Sequence, residues 1–363
     1  MTAPDKTLRV MVMAGGTGGH VFPALAVADE LRRRHWQVDW LGTDRGIEAR
    51  VVPAANIPLH LLPIGGVRGK GLATLLRAPW KIASAVLAAR QLFKSLQPDL
   101  VLGMGGYVAG PGGIAARLMG IPLVIHEQNA RPGTTNKWLA KFATRVMTAF
   151  PGVLPGAICT GNPVRADISA LPLPAARNIG QRSPLRLLVL GGSLGAQALN
   201  ELMPEAVADL LQQGQIQVRH QTGEKHLAAT EAFYRARNAS AEVTAFIENM
   251  AEALAWADLV VCRAGALTVA ELSAVGVASI LVPFPFAIDD HQTANAEWLV
   301  NQGAAELYQQ KILTADILQK RLMDFIAHPE LLAKMAEAAR NAAKPHAAEQ
   351  CADICQEVVR GQR

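Results

Sequence analysis

A glycine-rich turn between a short apolar run and an amphipathic helix is the feature that most constrains this chain. The turn reads Ala14-Gly15-Gly16-Thr17-Gly18-Gly19-His20 and follows the apolar run 8–13. Glycines lack a Cβ, so backbone N–H groups in such a turn can approach an oxyanion closely. The N-terminus of the helix that follows adds positive potential. His20 places a titratable imidazole beside this anion site, which favours group transfer over simple binding.

The same order of strand, glycine turn and helix recurs in the second half. The apolar run 185–190 precedes Gly191-Gly192-Ser193-Leu194-Gly195-Ala196, and an apolar-periodic helix then extends to about residue 211. Strands that alternate with helical patterns predict parallel sheets with crossover helices. The segment 165–184 contains three prolines and is typical of a linker. We therefore predict two Rossmann-like domains facing a cleft.

The alternation assigns elements along the whole chain. We predict strands at 7–13, 37–41, 99–103, 122–126, 145–149, 185–190, 216–220, 242–246, 259–262, 279–282 and 304–307. Helices are predicted at 20–34, about 72–95, 110–118 and from about 347 to the end, and the domain to which this last helix belongs is left open.

Charge is distributed unevenly along the 363 residues. The net charge is +11 over residues 1–165 and −6 over the remainder, and no acidic residue occurs from 49 to 98. A basic first half predicts an anionic partner. We expect no signal peptide and no membrane span, and the four cysteines fit a reducing cytoplasm. For Cys351 and Cys355, one helical turn apart, buried thiols are favoured over a metal site.

Two common nucleotide-binding fingerprints are missing from the sequence. A dinucleotide dehydrogenase needs G-x-G-x-x-G, but Gly16 and Gly18 are followed by Val21. A P-loop needs G-x-x-x-x-G-K-[ST], which does not occur. The sequence also lacks a D-x-D triplet, which agrees with the absence of a metal or other cofactor that the resemblance described below implies.

Polar and glycine clusters follow several predicted strands. The cluster 103–107, continued by glycines at 110–113, is interpreted equally well as close helix packing or as a substrate contact. The run 126–129 lies at a strand end, where parallel sheets bind ligands. In the segment 263–271, Thr268 suits a helix N-terminus facing a phosphate. Glu271, expected in or near the first turn, either binds a ribose diol or interacts with the helix dipole. Asp289 and Asp290 are expected to cap a helix.

Taken together, these motifs resemble those of the MurG family of bacterial glycosyltransferases. The matching segments lie at 15–23, 103–107, 126–129, 161–165, 191–193, 266–271 and 290–296, and they span nearly the whole chain. The resemblance implies an α/β protein of the GT-B fold, with two Rossmann-like parallel-sheet domains flanking a cleft. It implies an N-terminal domain at 1–164, which faces the acceptor and the membrane and carries the final helix, 345–363. A C-terminal domain at 165–344 would bind the donor.

The resemblance also implies the reaction and its residues. The enzyme would transfer GlcNAc from UDP-GlcNAc, with inversion, to the C4 hydroxyl of MurNAc in undecaprenyl-diphosphate-MurNAc-pentapeptide (lipid I), giving lipid II for peptidoglycan synthesis. His20 is the preferred base, with Glu127 as its rival or orienting partner, and His20 could instead cap the helix or bind diphosphate. The implied substrate-binding residues are Thr17, Gly18, Gly19, Asn129, Arg165, Ser193, Ile247, Ala266, Leu267, Thr268, Val269, Ala270, Glu271 and Gln292.

The stretch 49–98, which contains no acidic residue, predicts a surface that binds a membrane. Apolar residues at 72–86 alternate with Lys70, Arg77 and Lys81, a pattern that favours anionic membrane interfaces. We expect peripheral binding at the cytoplasmic face of the bacterial inner membrane, no nucleic-acid partner, and proteins of cell-wall synthesis and division as candidate partners. The alternatives are another GT-B transferase, a UDP-GlcNAc 2-epimerase, a non-catalytic nucleotide-sugar-binding subunit and, least favoured, a dehydrogenase.

Overall fold

The chain divides into two compact units, one formed by Met1–Arg165 with Lys344–Arg363 and the other by Ala166–Ala343. The computed structural model describes residues 7–64, 72–192 and 195–361, with the backbone alone at 72–78 and at 288. Ser193, Leu194 and Lys70 therefore lie outside the described residues, and the side chain of Arg77 is not described.

Unit 1 contains a parallel sheet in the order β3-β2-β1-β4-β5-β6-β7. Its strands are β1 Arg9–Met13, β2 Gln37–Gly42, β3 Leu59–Leu61, β4 Leu100–Gly103, β5 Leu123–Glu127, β6 Arg145–Thr148 and β7 Ile158–Cys159. Its helices are α1 Gly18–Arg33, α2 Glu48–Ala54, α3 Leu72–Leu96, α4 Ala109–Leu118, α5 Thr134–Leu139 and α14 Ala347–Arg360. The strand order reverses between β1 and β4, the point at which open parallel sheets bind ligands.

Both faces of this sheet are covered by helices, as the continuous apolar strands require. On one face, α1 and α14 pack over Val10, Val12 and Leu102. On the other face, α3 and α4 pack over Met11 and Val101. The last helix therefore belongs to unit 1, which answers the question that the sequence pattern left open.

Unit 2 contains a second parallel sheet, in the order β10-β9-β8-β11-β12-β13. Its strands are β8 Leu185–Leu190, β9 Ile216–Gln221, β10 Glu242–Thr244, β11 Leu259–Cys262, β12 Ala278–Leu281 and β13 Ala305–Leu307. Its helices are α6 Ala166–Ser169, α7 Gln197–Gln212, α8 Leu227–Arg235, α9 Met250–Trp256, α10 Ala266–Val275, α11 His291–Val300, α12 Ala315–Ala327 and α13 Glu330–Ala342. The strand order of this sheet reverses between β8 and β11.

The segment 165–184 is not the open linker that its prolines predicted. It contains α6 and a 3-10 helix, Pro174–Arg177, and both pack into unit 2. Ile168 is buried, and the buried Arg177 guanidinium donates to the backbone carbonyls of Val275 and Gly276 at the end of α10. Burial lowers the pKa of Arg177 to about 10. Prolines mark turns here, but the side chains between them anchor the segment.

The cysteines of α14 are buried thiols, as expected. Cys351 and Cys355 are both fully buried, and burial raises the pKa of the Cys351 thiol to about 12. Across the described ranges, no group of three or more His, Cys, Asp or Glu side chains could hold a metal ion.

We expect the docking of α14 to depend on its buried face. Ala352→Asp places a carboxylate at a fully buried position, so unit 1 should lose about 3 kcal/mol of stability. Asp353→Ala on the exposed face removes an ion pair with Arg34 and should cost less than about 1 kcal/mol. Hydrogen–deuterium exchange read peptide by peptide should show faster exchange in α1 for Ala352→Asp, with α12 of unit 2 unchanged. Equal exchange in the two variants would contradict this packing.

Candidate functional site

The glycine turn of unit 1 lies at the point where the strand order reverses. It connects β1 to α1, and Gly16 adopts a φ of +95°, a conformation that glycine accepts without strain. Thr17 is the N-cap of α1 and is exposed, while His20 is half-buried in the first turn of the helix. The N–H groups of Gly18 and Gly19 belong to this first turn, which is the part of a helix that binds anions.

Glu48 organises this turn, and the sequence analysis did not identify it. Its fully buried carboxylate accepts hydrogen bonds from Gly16 N at 2.9 Å, Thr43 N at 3.0 Å and Thr43 Oγ1 at 2.6 Å. A Cβ on Gly15 would lie 2.6 Å from Glu48 Oε1, so the glycine there makes room for the carboxylate. The only signal in the sequence is that Glu48 is the last acidic residue before the acid-free stretch.

The glycine cluster 103–107 packs directly against the glycine turn 14–20. A Cβ on Gly106 would collide with the carbonyl oxygen of Gly15, and one on Gly105 would lie 2.5 Å from Cδ2 of His20. Both glycines have positive φ. Gly105 and Gly106 are therefore packed closely against the His20 turn, whereas the other interpretation, a substrate contact, stays a prediction. Gly105 makes the space that the imidazole occupies.

The polar run 126–129 lies at the same edge of the sheet, and it begins with His126 and Glu127, the last two residues of β5. The buried Gln128 donates through Nε2 to the Met104 carbonyl at 2.9 Å, which connects this run to the Gly105 loop. His126 is fully buried, and its Nε2 donates to the Gly161 carbonyl at 2.9 Å. Burial lowers the pKa of His126 to about 4. The half-buried Arg165 lies over the Phe22 ring of α1, with its Cζ 5.7 Å from the ring centroid.

Glu127 is a buried carboxylate that orders its own loop. It accepts from Asn129 N at 3.0 Å, Asn129 Nδ2 at 3.3 Å, Gly133 N at 3.1 Å and Asn136 Nδ2 at 2.9 Å. Only 2% of Glu127 is exposed. A carboxylate that accepts four hydrogen bonds is held in place, so the geometry favours a positioning role for Glu127 over that of a base.

Unit 2 contains a pocket at its own reversal point, beside the ends of β8 and β11. The pocket has about 370 Å³ of open space, including its mouth. It is lined by Leu190, Gly192, Gln221, Met250, Cys262, Arg263, Thr268 and Glu271. The predicted Thr268 and Glu271 therefore line the pocket together with Gly192 of the second glycine turn. The other six lining residues, Leu190, Gly192, Gln221, Met250, Cys262 and Arg263, had not been predicted as site residues.

Helix α10 presents its N-terminus to this pocket. Gly265 is its N-cap, Ala266 to Ala270 form its opening residues, and Thr268 lies in the first turn. Glu271 lies one turn further along and not in the first turn, which contains no acidic residue. Glu271 therefore cannot act as a first-turn acid, whereas its spacing of three from Thr268 places both side chains on one face.

The other predicted residues of unit 2 that the structure describes do not line the pocket. Ile247 is half-buried between β10 and α9, three residues before the lining residue Met250. Gln292, in the first turn of α11, accepts a hydrogen bond from Phe284 N through Oε1 at 2.9 Å. Asp290 is the N-cap of α11, but its carboxylate accepts from Thr293 Oγ1 and bonds no backbone N–H as a side-chain cap would.

Arg263 connects the pocket to the loop after β12. Its guanidinium donates to the carbonyls of Val282 at 3.1 Å and Pro283 at 3.2 Å, and to Gln310 Oε1 at 2.6 Å. Burial lowers its pKa. These hydrogen bonds to uncharged oxygens therefore hold Arg263 in place in the wall of the pocket.

Comparison with known proteins identifies the family. Residues 10–148 match the glycosyltransferase family 28 N-terminal domain, and residues 186–351 match the glycosyltransferase family 28 C-terminal domain. The chain is 53% identical over 355 residues to the UDP-N-acetylglucosamine–N-acetylmuramyl-(pentapeptide) pyrophosphoryl-undecaprenol N-acetylglucosamine transferase of Azotobacter vinelandii, covering 97% of this chain and 99% of that protein. The crystal structure of Acinetobacter baumannii MurG superposes with a TM-score of 0.83 at 45% identity, covering 96% of this chain and 99% of that one.

The chain belongs to the MurG family, within glycosyltransferase family 28. The predicted fold is thereby confirmed as GT-B, with two Rossmann-like parallel-sheet domains. A UDP-N-acetylglucosamine 2-epimerase shares this fold, with a TM-score of 0.62 at 15% identity over 95% of each chain. The fold alone therefore does not separate a MurG-type transferase from an epimerase, whereas the sequence identity to the transferases does.

Buried histidines predict a loss of stability in acid. His126 stays neutral in the folded chain down to a pKa of about 4, whereas the unfolded chain binds its proton below about 6.5. The unfolded state therefore binds more protons between these values, and stability falls as the pH is lowered through this window. His220 of unit 2, with a burial-lowered pKa of about 3, acts in the same direction.

Urea unfolding at pH 7 and pH 5 measures this effect. Each histidine should lower the free energy of unfolding by about 2 kcal/mol between the two values. His126→Asn should reduce the change in unfolding free energy between the two pH values by about 2 kcal/mol. A pH dependence that His126→Asn leaves intact would show that His126 is not held neutral.

Proposed function

We propose that this chain transfers GlcNAc from UDP-GlcNAc to the C4 hydroxyl of MurNAc in lipid I, with inversion, and so forms lipid II for peptidoglycan synthesis. The observation that carries the proposal is the pocket of unit 2. Gly192, Thr268 and Glu271 line it at the reversal point of the sheet, in a chain 53% identical to a transferase named for this reaction.

Unit 2 is proposed to bind the donor. The first-turn N–H groups of α10, with Thr268, would bind the diphosphate together with Ser193 of the second glycine turn. Glu271 would accept hydrogen bonds from the ribose hydroxyls, and the Ile247 backbone would bind uracil. Because Oε1 of Gln292 accepts from Phe284 N, its Nε2 can donate to a GlcNAc hydroxyl.

Unit 1 is proposed to supply the base and the contacts with the acceptor. His20 takes the proton of the attacking hydroxyl, and the ring is held against the Gly105 backbone. The α1 N-terminus, with Thr17, Gly18 and Gly19, is suited to the lipid-linked diphosphate. Asn129 and Arg165 complete the donor contacts. Glu127 acts as a positioning residue, since its carboxylate holds Asn129.

The reaction needs one proton transfer and one displacement. His20 accepts the C4 proton as the oxygen attacks the anomeric carbon from the side opposite UDP, which inverts that centre. The bond from the anomeric carbon to the β-phosphate oxygen breaks, and UDP leaves with the electron pair. The backbone amides at the N-terminus of α10 are suited to stabilise the charge that develops on the diphosphate.

Exposed apolar and basic residues on unit 1 support a peripheral membrane site. On α3, Trp80 is 80% exposed, and Ile82, Leu87, Lys81 and Arg90 are also exposed. On α4 and α5, Leu118 and Trp138 are exposed, and Lys141 Nζ lies 5.6 Å from the Trp138 ring centroid. We define the basic–apolar face as the residues Trp80, Lys81, Ile82, Leu87, Arg90, Leu118, Trp138 and Lys141.

We propose that the basic–apolar face binds the anionic cytoplasmic surface of the inner membrane, where lipid I is located. Over the described part of the chain, no helix is long and apolar enough to span a membrane. Proteins of cell-wall synthesis and division are proposed as partners on the resemblance alone.

A transfer assay tests the proposed function. Radiolabelled GlcNAc should appear in lipid II when the chain is given UDP-GlcNAc and a lipid I analogue, and UDP release should depend on that acceptor. UDP-glucose should be a poorer donor. Acceptor-independent conversion of the donor to its 2-epimer would instead support the epimerase.

His20→Ala tests the base. We expect the turnover rate to fall by about 10²–10⁴-fold, because positioned proton transfer is lost, with donor affinity nearly unchanged. Gly105→Ala should also slow turnover, because its Cβ would displace the ring of an intact His20. His328→Ala, at an exposed position in unit 2, is the control. Near-normal turnover by His20→Ala would exclude the base role, and loss of acceptor affinity alone would indicate a binding role.

Vesicle sedimentation tests the membrane proposal. Binding to anionic vesicles should weaken by at least about fivefold for each charge reversal, Lys81→Glu or Arg90→Glu, since the lost basic residue alone contributes about 1 kcal/mol. Trp80→Ala should weaken binding further, and added salt should weaken it in the unaltered chain. Lys334→Glu on unit 2 and neutral vesicles serve as controls. Salt-insensitive binding, or no binding, would contradict the proposal.

A further inference from the structure

Gln221 contacts the second glycine turn through both its backbone and its side chain. It is the last residue of β9 and pairs in register with Leu190, the last residue of β8. Its carbonyl accepts from Gly191 N at 3.1 Å, and its Nε2 donates to the Gly192 carbonyl at 3.0 Å. Gln221 therefore fixes the start of the turn that is proposed to bind the diphosphate.

This bond determines the orientation of the side-chain amide. A carbonyl oxygen only accepts, so Nε2 must face Gly192, and Oε1 must face the other way. Gln221 is 2% exposed, and its Oε1 is buried without a hydrogen bond from any residue that the structure describes. Buried polar atoms in proteins are nearly always hydrogen-bonded, so this acceptor is suited to a donor on a ligand.

Few other groups that line this pocket can accept a hydrogen bond from a donor on a ligand. Leu190 and Met250 are apolar and Arg263 only donates, whereas the side chains of Thr268 and Glu271 can accept. A uridine diphosphate carries donors at its two ribose hydroxyls and at N3 of the base. Glu271 and Gln221 line the same small pocket, so a ribose diol bound there would lie beside two side chains that carry acceptor oxygens.

We propose that Gln221 is a further donor-binding and specificity residue, whose Oε1 accepts a hydrogen bond from one ribose hydroxyl while its Nε2 holds the Gly192 carbonyl. The site thereby selects a ribonucleoside diphosphate over a deoxyribonucleoside diphosphate. This inference rests on the proposed function, because it takes UDP as the ligand.

Calorimetric titration of the full chain with UDP, 2′-deoxy-UDP, 3′-deoxy-UDP and N3-methyl-UDP tests the proposal. The measured quantity is the ratio of each analogue's dissociation constant to that of UDP. Gln221→Met removes both polar groups at similar volume. Gln221→Met should lower the ratio for one of the two deoxy analogues by at least about threefold, because one hydrogen bond to the ribose is lost. The other ratios should stay within about twofold of their values in the unaltered chain.

Gln221→Glu separates the two roles of the side chain. It retains an acceptor for the ribose but turns a carboxylate oxygen toward the Gly192 carbonyl. All four ligands should therefore bind more weakly, while the deoxy ratios of the unaltered chain are retained. Gln217→Met makes the same change at an exposed position of the same strand and should alter neither affinity nor ratios. Thermal unfolding of each variant confirms that it is folded.

Two results would overturn the inference while leaving the proposed function intact. One is an equal loss of affinity for all four ligands in Gln221→Met, which would limit Gln221 to holding the turn. The other is a changed ratio for N3-methyl-UDP alone, which would assign Oε1 to the base. Failure of the unaltered chain to bind UDP would overturn the proposed function, and this inference with it.

Discussion

Close approach of glycine backbones at the carboxyl ends of parallel strands is the constraint on which both sites depend. In unit 1, the Gly15 carbonyl occupies the place of a Cβ on Gly106, and the His20 ring occupies that of a Cβ on Gly105. In unit 2, the Thr222 carbonyl lies where a Cβ on Gly195 would be. Larger residues at these glycines would push the loops apart. The positions of the predicted base and of the predicted phosphate-binding turn therefore depend on glycine having no side chain.

Buried carboxylates then hold the loops of unit 1 that the glycines allow to approach. Glu48 accepts from the backbone of Gly16, and Glu127 accepts from both the backbone and the side chain of Asn129. Burying a charge is costly unless hydrogen bonds satisfy it, and both carboxylates accept from N–H or O–H donors of the loops that they hold. The order of these loops is therefore coupled to the folding of the unit, which keeps polar groups in place before a substrate binds.

Much of the fold could be predicted from the sequence because its signals are local. Continuous apolar runs followed by glycine turns gave the central strands within one or two residues, as for 185–190. Short elements such as β3 and β7 were missed, since two or three residues show no periodicity. The segment 165–184 was misjudged because prolines are visible in a sequence, whereas the buried contacts of Arg177 are not.

The sequence by itself determined the fold class, the two glycine turns and the residue types at the site, because strand periodicity, glycine and helix starts act over a few neighbours. Only the tertiary structure decided which distant residues complete each site. Glu48 lies 32 positions from Gly16, and Gln221 lies 29 positions from Gly192, yet each is bonded to that glycine. The physical reason is that parallel pairing brings together strand ends that are far apart in the chain, and no local pattern specifies which side chains meet there.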